Sequence, residues 1–320
     1  MRILVTGSSG FIGRWLGNLL DQKKIIWAGL DLKKKIKEHK CAFHYQIDFN
    51  QVSLLKKALK EFQPDIVVHL AARCDLNGKT LKDYKTNWEE VESLCEVIKN
   101  APSVKRTIFT SSQLVCEVGY KPKDDVDFCP PNTYGESKAY MEKIIRRLNG
   151  GDKEWCITRP TTVWGPNMGS HYKSFLGFIY KGIYFHSGKG ALNKSYSYVE
   201  NIAFQYYKLC TASRKSIHQK VFYLSDYNPI SLRDQINGYA VRLGVKKPFT
   251  MPLIFCYGVA YFGDLLGFLK ISFPYNSFRL KNIRTEYIYD LSKTKVICGE
   301  LPVSFQDALD RTAEWLLKNK

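Results

Sequence analysis

A chain of 320 residues has room for one large domain or two moderate ones that share a core. Hydrophobic residues make up 45% and charged residues 24%, a balance that excludes a disordered tail, a fibre and a collagen. The 48 Lys and Arg outnumber the 30 Asp and Glu, and this net +18 suggests an acidic partner: nucleic acid, anionic lipid or phosphorylated small molecules. The surplus is spread out, +7 over residues 1–160 and +11 over residues 161–320. Its one dense run is Lys33, Lys34 and Lys35 with Lys37 and Lys40. No basic stripe interleaved with aromatic residues accompanies it, so no nucleic-acid partner is expected. Nine cysteines, none in a C-x-x-C pair, indicate neither a disulfide framework nor a zinc site. No metal is therefore expected, and a reducing cytoplasm is the expected setting.

In chain order, the opening MRILVTG has too short an apolar run for a signal peptide and reads as a first strand over residues 2–6. Helical spacing follows over 11–20, strand patterns over 25–30 and 43–47, and an amphipathic helix over 53–62. Then come a strand (65–70), a helix (88–98), a strand (106–110), a helix (134–148) and a strand (155–158). Strands alternating with helices predict an α/β fold of Rossmann type, a doubly wound parallel sheet with helices on both faces. Ligands of such sheets bind at the carboxyl ends of the strands. After Pro160 the pattern loosens, and residues 161–200 read as loops with short elements. Later periodic stretches lie at 201–210, 231–243 and 305–317. The expected organisation is a dinucleotide-binding domain over 1–160 and a smaller, interleaved α/β substrate lobe over 161–320.

Residues 251–269 are apolar with a single charge, Asp264. An unpaired Asp at the centre of a spanning helix costs roughly 2.5–3.5 kcal/mol, and Pro252, Gly258, Gly263 and Gly267 weaken the segment further. No integral membrane span is expected. A buried or pocket-covering helical region is the favoured reading, with weak membrane-surface contact as the lesser one.

Gly7, Gly10 and Gly13 fall between the first strand and the first helix. The first permits a tight turn, the second lets a pyrophosphate approach the backbone, and the third lets helix and strand pack closely. Free N–H groups and the helix dipole would then meet the phosphate charge. Asp31 ends the second strand, where a carboxylate accepts both adenosine ribose hydroxyls and repels a 2′-phosphate, so NAD is expected over NADP. The neighbouring lysines are the feature that would suit NADP. Asp48 follows the third strand, placed to reach the adenine amino group.

Tyr134 and Lys138 stand four residues apart on one helix face, and Ser111 and Ser112 end the strand before it. A phenol has a reference pKa of about 10, so it needs help to act as a base at neutral pH. A neighbouring ammonium and a cationic nicotinamide ring would favour phenolate. Tyr134 could then take a proton from a substrate hydroxyl while a hydride leaves the same carbon. Lys138 would also hold the nicotinamide ribose, and Ser112 the substrate oxygen.

These motifs resemble the extended short-chain dehydrogenases/reductases, and within them the NAD-dependent sugar-nucleotide epimerase/dehydratase family. The resemblance covers the glycine turn, Asp31, Asp48, His69-Leu70-Ala71-Ala72, Asn87, Ser111-Ser112, the Tyr134/Lys138 pair, the run from Arg159 to Pro166, and Tyr198-Val199-Glu200-Asn201. It implies catalysis by Ser112, Tyr134 and Lys138. The implied cofactor surface is Gly7, Gly10, Phe11, Ile12, Gly13, Asp31, Asp48, Phe49, Leu70, Ala71, Ala72, Asn87, Ser111, Tyr134, Lys138 and Pro160. Substrate contacts would come from Arg73, Ser112, Gln113, Thr162, Lys194 and Arg279.

The chain also departs from the family. Its dehydratases carry Asp-Glu directly after the catalytic Ser or Thr, and Gln113 and Leu114 stand there, which disfavours sugar dehydration. Cys116 replaces a usual Tyr, Thr162 an Asn and Lys194 an Arg, whose bidentate fork is lost. The resemblance implies oxidation and reduction at C4 of a nucleotide-diphosphate sugar, as a 4-epimerase or a 4-keto reductase. It is also compatible with a homodimer, which extended members often form. The competing expectations are a steroid- or flavonoid-type alcohol dehydrogenase of the same superfamily and a non-catalytic NAD-binding scaffold.

Overall fold

Unbroken apolar runs suit strands buried on both faces, and the first half of the chain is built from them. In the computed structural model β1 (Arg2–Thr6), β2 (Ile26–Asp31), β3 (Phe43–Gln46), β4 (Ile66–His69), β5 (Arg106–Thr110) and β6 (Glu154–Pro160) alternate with helices. The helices are α1 (Phe11–Gln22), α2 (Val52–Phe62), α3 (Thr86–Lys99) and α4 (Thr133–Arg147). The structure describes all residues except 50, 191, 270, 272 and 320, with the backbone alone at 170–172.

The strands form one seven-stranded sheet, parallel throughout, in the order Lys220–Leu224, β6, β5, β4, β1, β2, β3. Side chains alternate between its faces with a period of two. Leu4, Val67, Phe109 and Ile157 point to one face, where α2, α3 and α4 supply Leu59, Leu94 and Ile144. Ile3, Val5, Val68 and Ile108 point to the other, covered by α1 and the helix Val199–Thr211 through Leu16, Ile202 and Tyr206. The sheet is therefore doubly wound, as the alternation predicted. Chain order reverses between β1 and β4, so the carboxyl ends of those two strands open a crevice.

The chain divides into two compact units. The first comprises residues 1–163, 197–226 and 290–302 and holds the sheet. The second comprises residues 164–196, 227–289 and 303–320. It contains the helices Ser170–Tyr180, Leu232–Arg242, Leu253–Phe268, Ser277–Arg284 and Phe305–Lys318. Two short strand pairs accompany them, His186–Ser187 with Thr250–Met251 and Asn193–Lys194 with Ile230–Ser231.

Residues 251–269 correct the favoured expectation. They are helical, but the large side chains are not buried: Ile254 is 75% exposed, Phe255 63% and Phe268 90%. The inward face is instead the small one, Cys256, Ala260 and Gly263. A Cβ at Gly263 would lie 1.9 Å from the Tyr275 carbonyl oxygen, so only a bare backbone fits that contact. Among the described residues no helix is long and apolar enough to cross a membrane.

Candidate active site

The carboxyl edge of β1 is built around glycine. Gly7 has φ +66, and a Cβ there would meet the Ala71 nitrogen at 2.7 Å; at Gly13 it would meet the Gly7 oxygen at 2.2 Å. Gly7 is pinned by its N–H to the Leu30 carbonyl (2.8 Å). The turn thus lies flat between the ends of β1, β2 and β4. The start of α1 has no side-chain cap and no acid in its first turn, which leaves its first N–H groups and the helix dipole for an anion. Backbone this bare at a helix N-terminus fits a dinucleotide pyrophosphate.

Asp31 sits at the end of β2 and accepts from the Ser9 N–H (2.8 Å) and the Lys33 N–H (2.9 Å). A carboxylate offers about four lone-pair sites, so two stay available for a ribose diol. Ser9 also donates its hydroxyl to the Lys34 carbonyl, which folds the lysine run back onto the glycine turn. On the β4 side the Thr6 hydroxyl accepts from the Ala71 N–H (3.2 Å) and bonds His69 Nδ1 (2.9 Å). Burial pushes the His69 imidazole down to about 3, so it stays neutral. Its ring packs edge-on against Phe49 and Phe109.

The second cluster forms where β5 ends against α4. Ser112 caps the turn Gln113–Val115, its hydroxyl accepting from the Leu114 N–H (3.1 Å). Asn132 caps α4 through the Gly135 N–H (2.9 Å). Gly135 is the contact point: a Cβ there would lie 2.0 Å from the Leu114 carbonyl oxygen. That approach brings Tyr134, 8% exposed, close to Ser112, whose hydroxyl favours the ionised phenol. One turn further, Lys138 is buried and donates to the Thr110 carbonyl (3.0 Å). The helix is anchored to β6 by Arg159, whose guanidinium meets both oxygens of Glu142 at 2.9 and 2.8 Å, with both residues fully buried.

Electrostatics here differ from the sequence expectation. Burial pushes the Tyr134 phenol well above its usual value, and the Cys74 thiol adds to that, while the bond to Ser112 works the other way. Burial lowers the Lys138 ammonium. The protein by itself thus holds the phenol protonated, because burial outweighs the help from Ser112.

Other expected residues are placed as follows. Leu70, Ala71 and Ala72 line the edge at the end of β4, and Asp48 and Phe49 lie just beyond β3. Asn87 is buried and its amide is used within the chain: it accepts from the Arg73 N–H (2.7 Å) and donates to the Arg73 carbonyl and the Ser137 hydroxyl. Its side chain positions the β4 edge against α4. The Arg73 guanidinium forks onto Asp75 (2.8 and 3.1 Å) and lies over Tyr84. Gln113 donates to the Thr162 hydroxyl (3.3 Å), while its own amide oxygen and the neighbouring Ser111 hydroxyl are buried without a partner. Such orphaned atoms on both sides of Ser112 suit a surface that receives a polar ligand. Pro160 ends β6, buried in the sheet. Lys194 and Arg279 belong to the second unit. Lys194 is buried, donates to the Asn282 carbonyl and lies over Tyr287, and burial lowers its ammonium to about 8. Arg279 is exposed and donates to the Pro274 carbonyl (2.8 Å).

Two residues at this site carry no motif in the sequence. Cys74 donates its thiol to the Ala72 carbonyl (3.6 Å) and is close enough to Tyr134 to raise the phenol. Glu90, on the buried face of α3, is pushed up to about 7 by burial, with the charge of Asp48 adding and that of Lys138 opposing. The only available signals are that Cys74 follows shortly after the β4 end and that an acid falls on an apolar helix stripe. Among the described residues no His/Cys/Asp/Glu group could hold a metal ion.

Comparison with known proteins agrees with this fold. The UDP-glucose 4-epimerase of Vibrio cholerae is 28% identical over 99% of this chain and 95% of its own length. The 3 beta-hydroxysteroid dehydrogenase/Delta 5-->4-isomerase of Vaccinia virus (strain Western Reserve) is 23% identical over 98% and 97%. The solved structure of UDP-glucuronic acid 4-epimerase from Bacillus cereus, in complex with UDP-glucuronic acid and NAD, superposes with a TM-score of 0.75 at 20% identity, covering all of both chains. The model of the NAD-dependent epimerase/dehydratase family matches residues 3–224, which span the glycine turn, the Ser112–Tyr134–Lys138 cluster and every strand of the sheet. On that match the chain belongs to the NAD-dependent epimerase/dehydratase family.

Proposed function

We propose that the chain oxidises and re-reduces C4 of a nucleotide-diphosphate sugar, as a 4-epimerase. The observation that carries this reading is the approach of α4 to the β5 end at Gly135, which sets Tyr134 against Ser112 with Lys138 one turn away. Bound NAD supplies the hydride acceptor and donor. The glycine turn and the start of α1 would hold its pyrophosphate, and Asp31 its adenosine ribose. Tyr134 takes the proton of the C4 hydroxyl and later returns it, and Ser112 holds that oxygen in line. Lys138 binds the nicotinamide ribose and adds a positive charge within one helical turn of the phenol. Burial holds Tyr134 protonated in the protein alone, so its action as a base would draw on the positive charge of a bound oxidised nicotinamide. Gln113 and Leu114, neither of them an acid, support this reading against sugar dehydration.

Turnover of UDP- and GDP-hexoses, followed by separation of the 4-epimers, tests the reading. Interconversion without net consumption of NAD is expected, and inertness toward every nucleotide sugar would overturn it. The viral relative supports a second reading, a hydroxysteroid-type alcohol dehydrogenase. Net reduction of NAD by a 3 beta-hydroxysteroid in the same assays would favour it.

Cys74 gives a pH signature. Its thiol helps burial raise the phenol, so Cys74→Ala lowers the Tyr134 pKa. The lower limb of the kcat/KM profile, where the base form becomes populated, is expected to move to lower pH. A limb that stays in place or moves upward would contradict the contact.

A further inference from the structure

The helix Leu253–Phe268 is built inside out for a water-soluble surface. Its small residues face the second unit, with Cys256 and Ala260 packed on Leu280, Phe185, Met251 and Tyr275. Ile254, Phe255, Tyr261, Phe262, Leu265 and Phe268 face outward, all at least half exposed. A surface helix normally buries such a stripe and shows water a polar one. Contiguous apolar surface of this kind marks an interaction site.

Charge identifies the occupant. Among the described residues from 246 to 284, every exposed charged side chain is a cation: Lys246 and Lys247 ahead of the helix, Arg279 and Lys281 after it. The one acid, Asp264, is half-buried and turns its carboxylate to the Ser277 N–H (3.3 Å), at the start of the helix Ser277–Arg284. A second copy of the chain would bring one cationic rim against another. An anionic bilayer offers hydrocarbon to the outward stripe and negative headgroups to the rim. At 16 residues the helix is about 24 Å long, against a hydrocarbon core of ~30 Å, so it is too short to cross and suits the interface. The aromatic rings of Tyr257 and Tyr261 suit the headgroup level.

We propose that this helix docks the protein peripherally on anionic lipid membranes, its outward apolar side chains entering the interface and the flanking lysines and arginine pairing with lipid phosphates. The docking involves the second unit alone and does not depend on the sugar-nucleotide reading.

The test is co-sedimentation of the full chain with vesicles of phosphatidylcholine alone or mixed with phosphatidylglycerol, alongside its solution mass by light scattering. Retention on the anionic vesicles is expected, weakened at about 1 M salt, where charges are screened beyond ~3 Å. The triple variant Ile254→Ser/Phe255→Ser/Phe268→Ser should lose partitioning by at least ~100-fold. Lys246→Glu/Lys247→Glu leaves the apolar stripe intact and serves even where the triple variant fails to fold. It should lose at least about 30-fold on anionic vesicles, at roughly fivefold for each lysine charge removed, and change little on neutral ones. Wild-type protein left in the supernatant would overturn the proposal. So would retention unaffected by the lysine reversals, or a dimer that closes over the helix and shows no affinity for vesicles.

Discussion

Tyr134→Phe is expected to lower turnover by about 10²–10⁴-fold, the usual contribution of a positioned acid or base, and to leave NAD affinity within about twofold. The substitution removes only the hydroxyl whose ionisation Ser112 and Cys74 influence. The ring keeps its edge-on contact with Tyr84 at 5.9 Å, so α4 and the Lys138 bond to Thr110 stay in place. Steady-state rates on the active nucleotide sugar, paired with an NAD titration, separate the two effects. A variant within tenfold of wild type would remove Tyr134 from the chemistry. A variant that loses NAD binding as well would make the phenol part of the cofactor seat.

Gly13→Ala is expected to cost NAD affinity roughly 10–100-fold and to destabilise the first unit by about 1–3 kcal/mol. The new Cβ would stand 2.2 Å from the Gly7 oxygen and 2.8 Å from the Ser8 Cα, both backbone atoms that cannot rotate away. Relief requires α1 to lift from the turn, which moves the N–H groups that would face the pyrophosphate. Gly10→Ala is the control for stability alone, since its Cβ would meet the same oxygen at 3.1 Å and needs a shift of only a few tenths of an ångström. Titration of Gly13→Ala with NAD and thermal unfolding of both variants give the comparison. Equal affinity in Gly13→Ala and wild type would contradict the cradle.

The sheet was legible because its strands are buried on both faces and show as short apolar runs between helical patterns. Lys220–Leu224 escaped notice, since Lys220 is exposed and Tyr223 half-buried in a run of only five residues. The helix Leu253–Phe268 was legible as a helix and not in its direction. A segment apolar on every side has no periodicity to say which face is buried, and the choice fell to the close backbone approach at Gly263. Within the site, the glycine turn and the Tyr134/Lys138 spacing are local and could be read directly. Gly135 was only a letter inside that motif, because its function depends on a carbonyl 21 positions earlier in the chain. Cys74, Glu90 and the amide of Asn87 act through neighbours brought together by β4, α3 and α4, and no local spacing encodes them. Lys138 shows the same limit: its position was legible, but its bond to the Thr110 carbonyl was not.

The measurement that tests the central reading most directly follows a deuterium at C4 of the nucleotide hexose through turnover by the wild-type holoenzyme. Oxidation at C4 with return of the same hydrogen predicts the inverted sugar with the label still on C4. An inverted product that has exchanged its C4 label with solvent, or turnover that leaves C4 untouched, would contradict hydride transfer at that carbon.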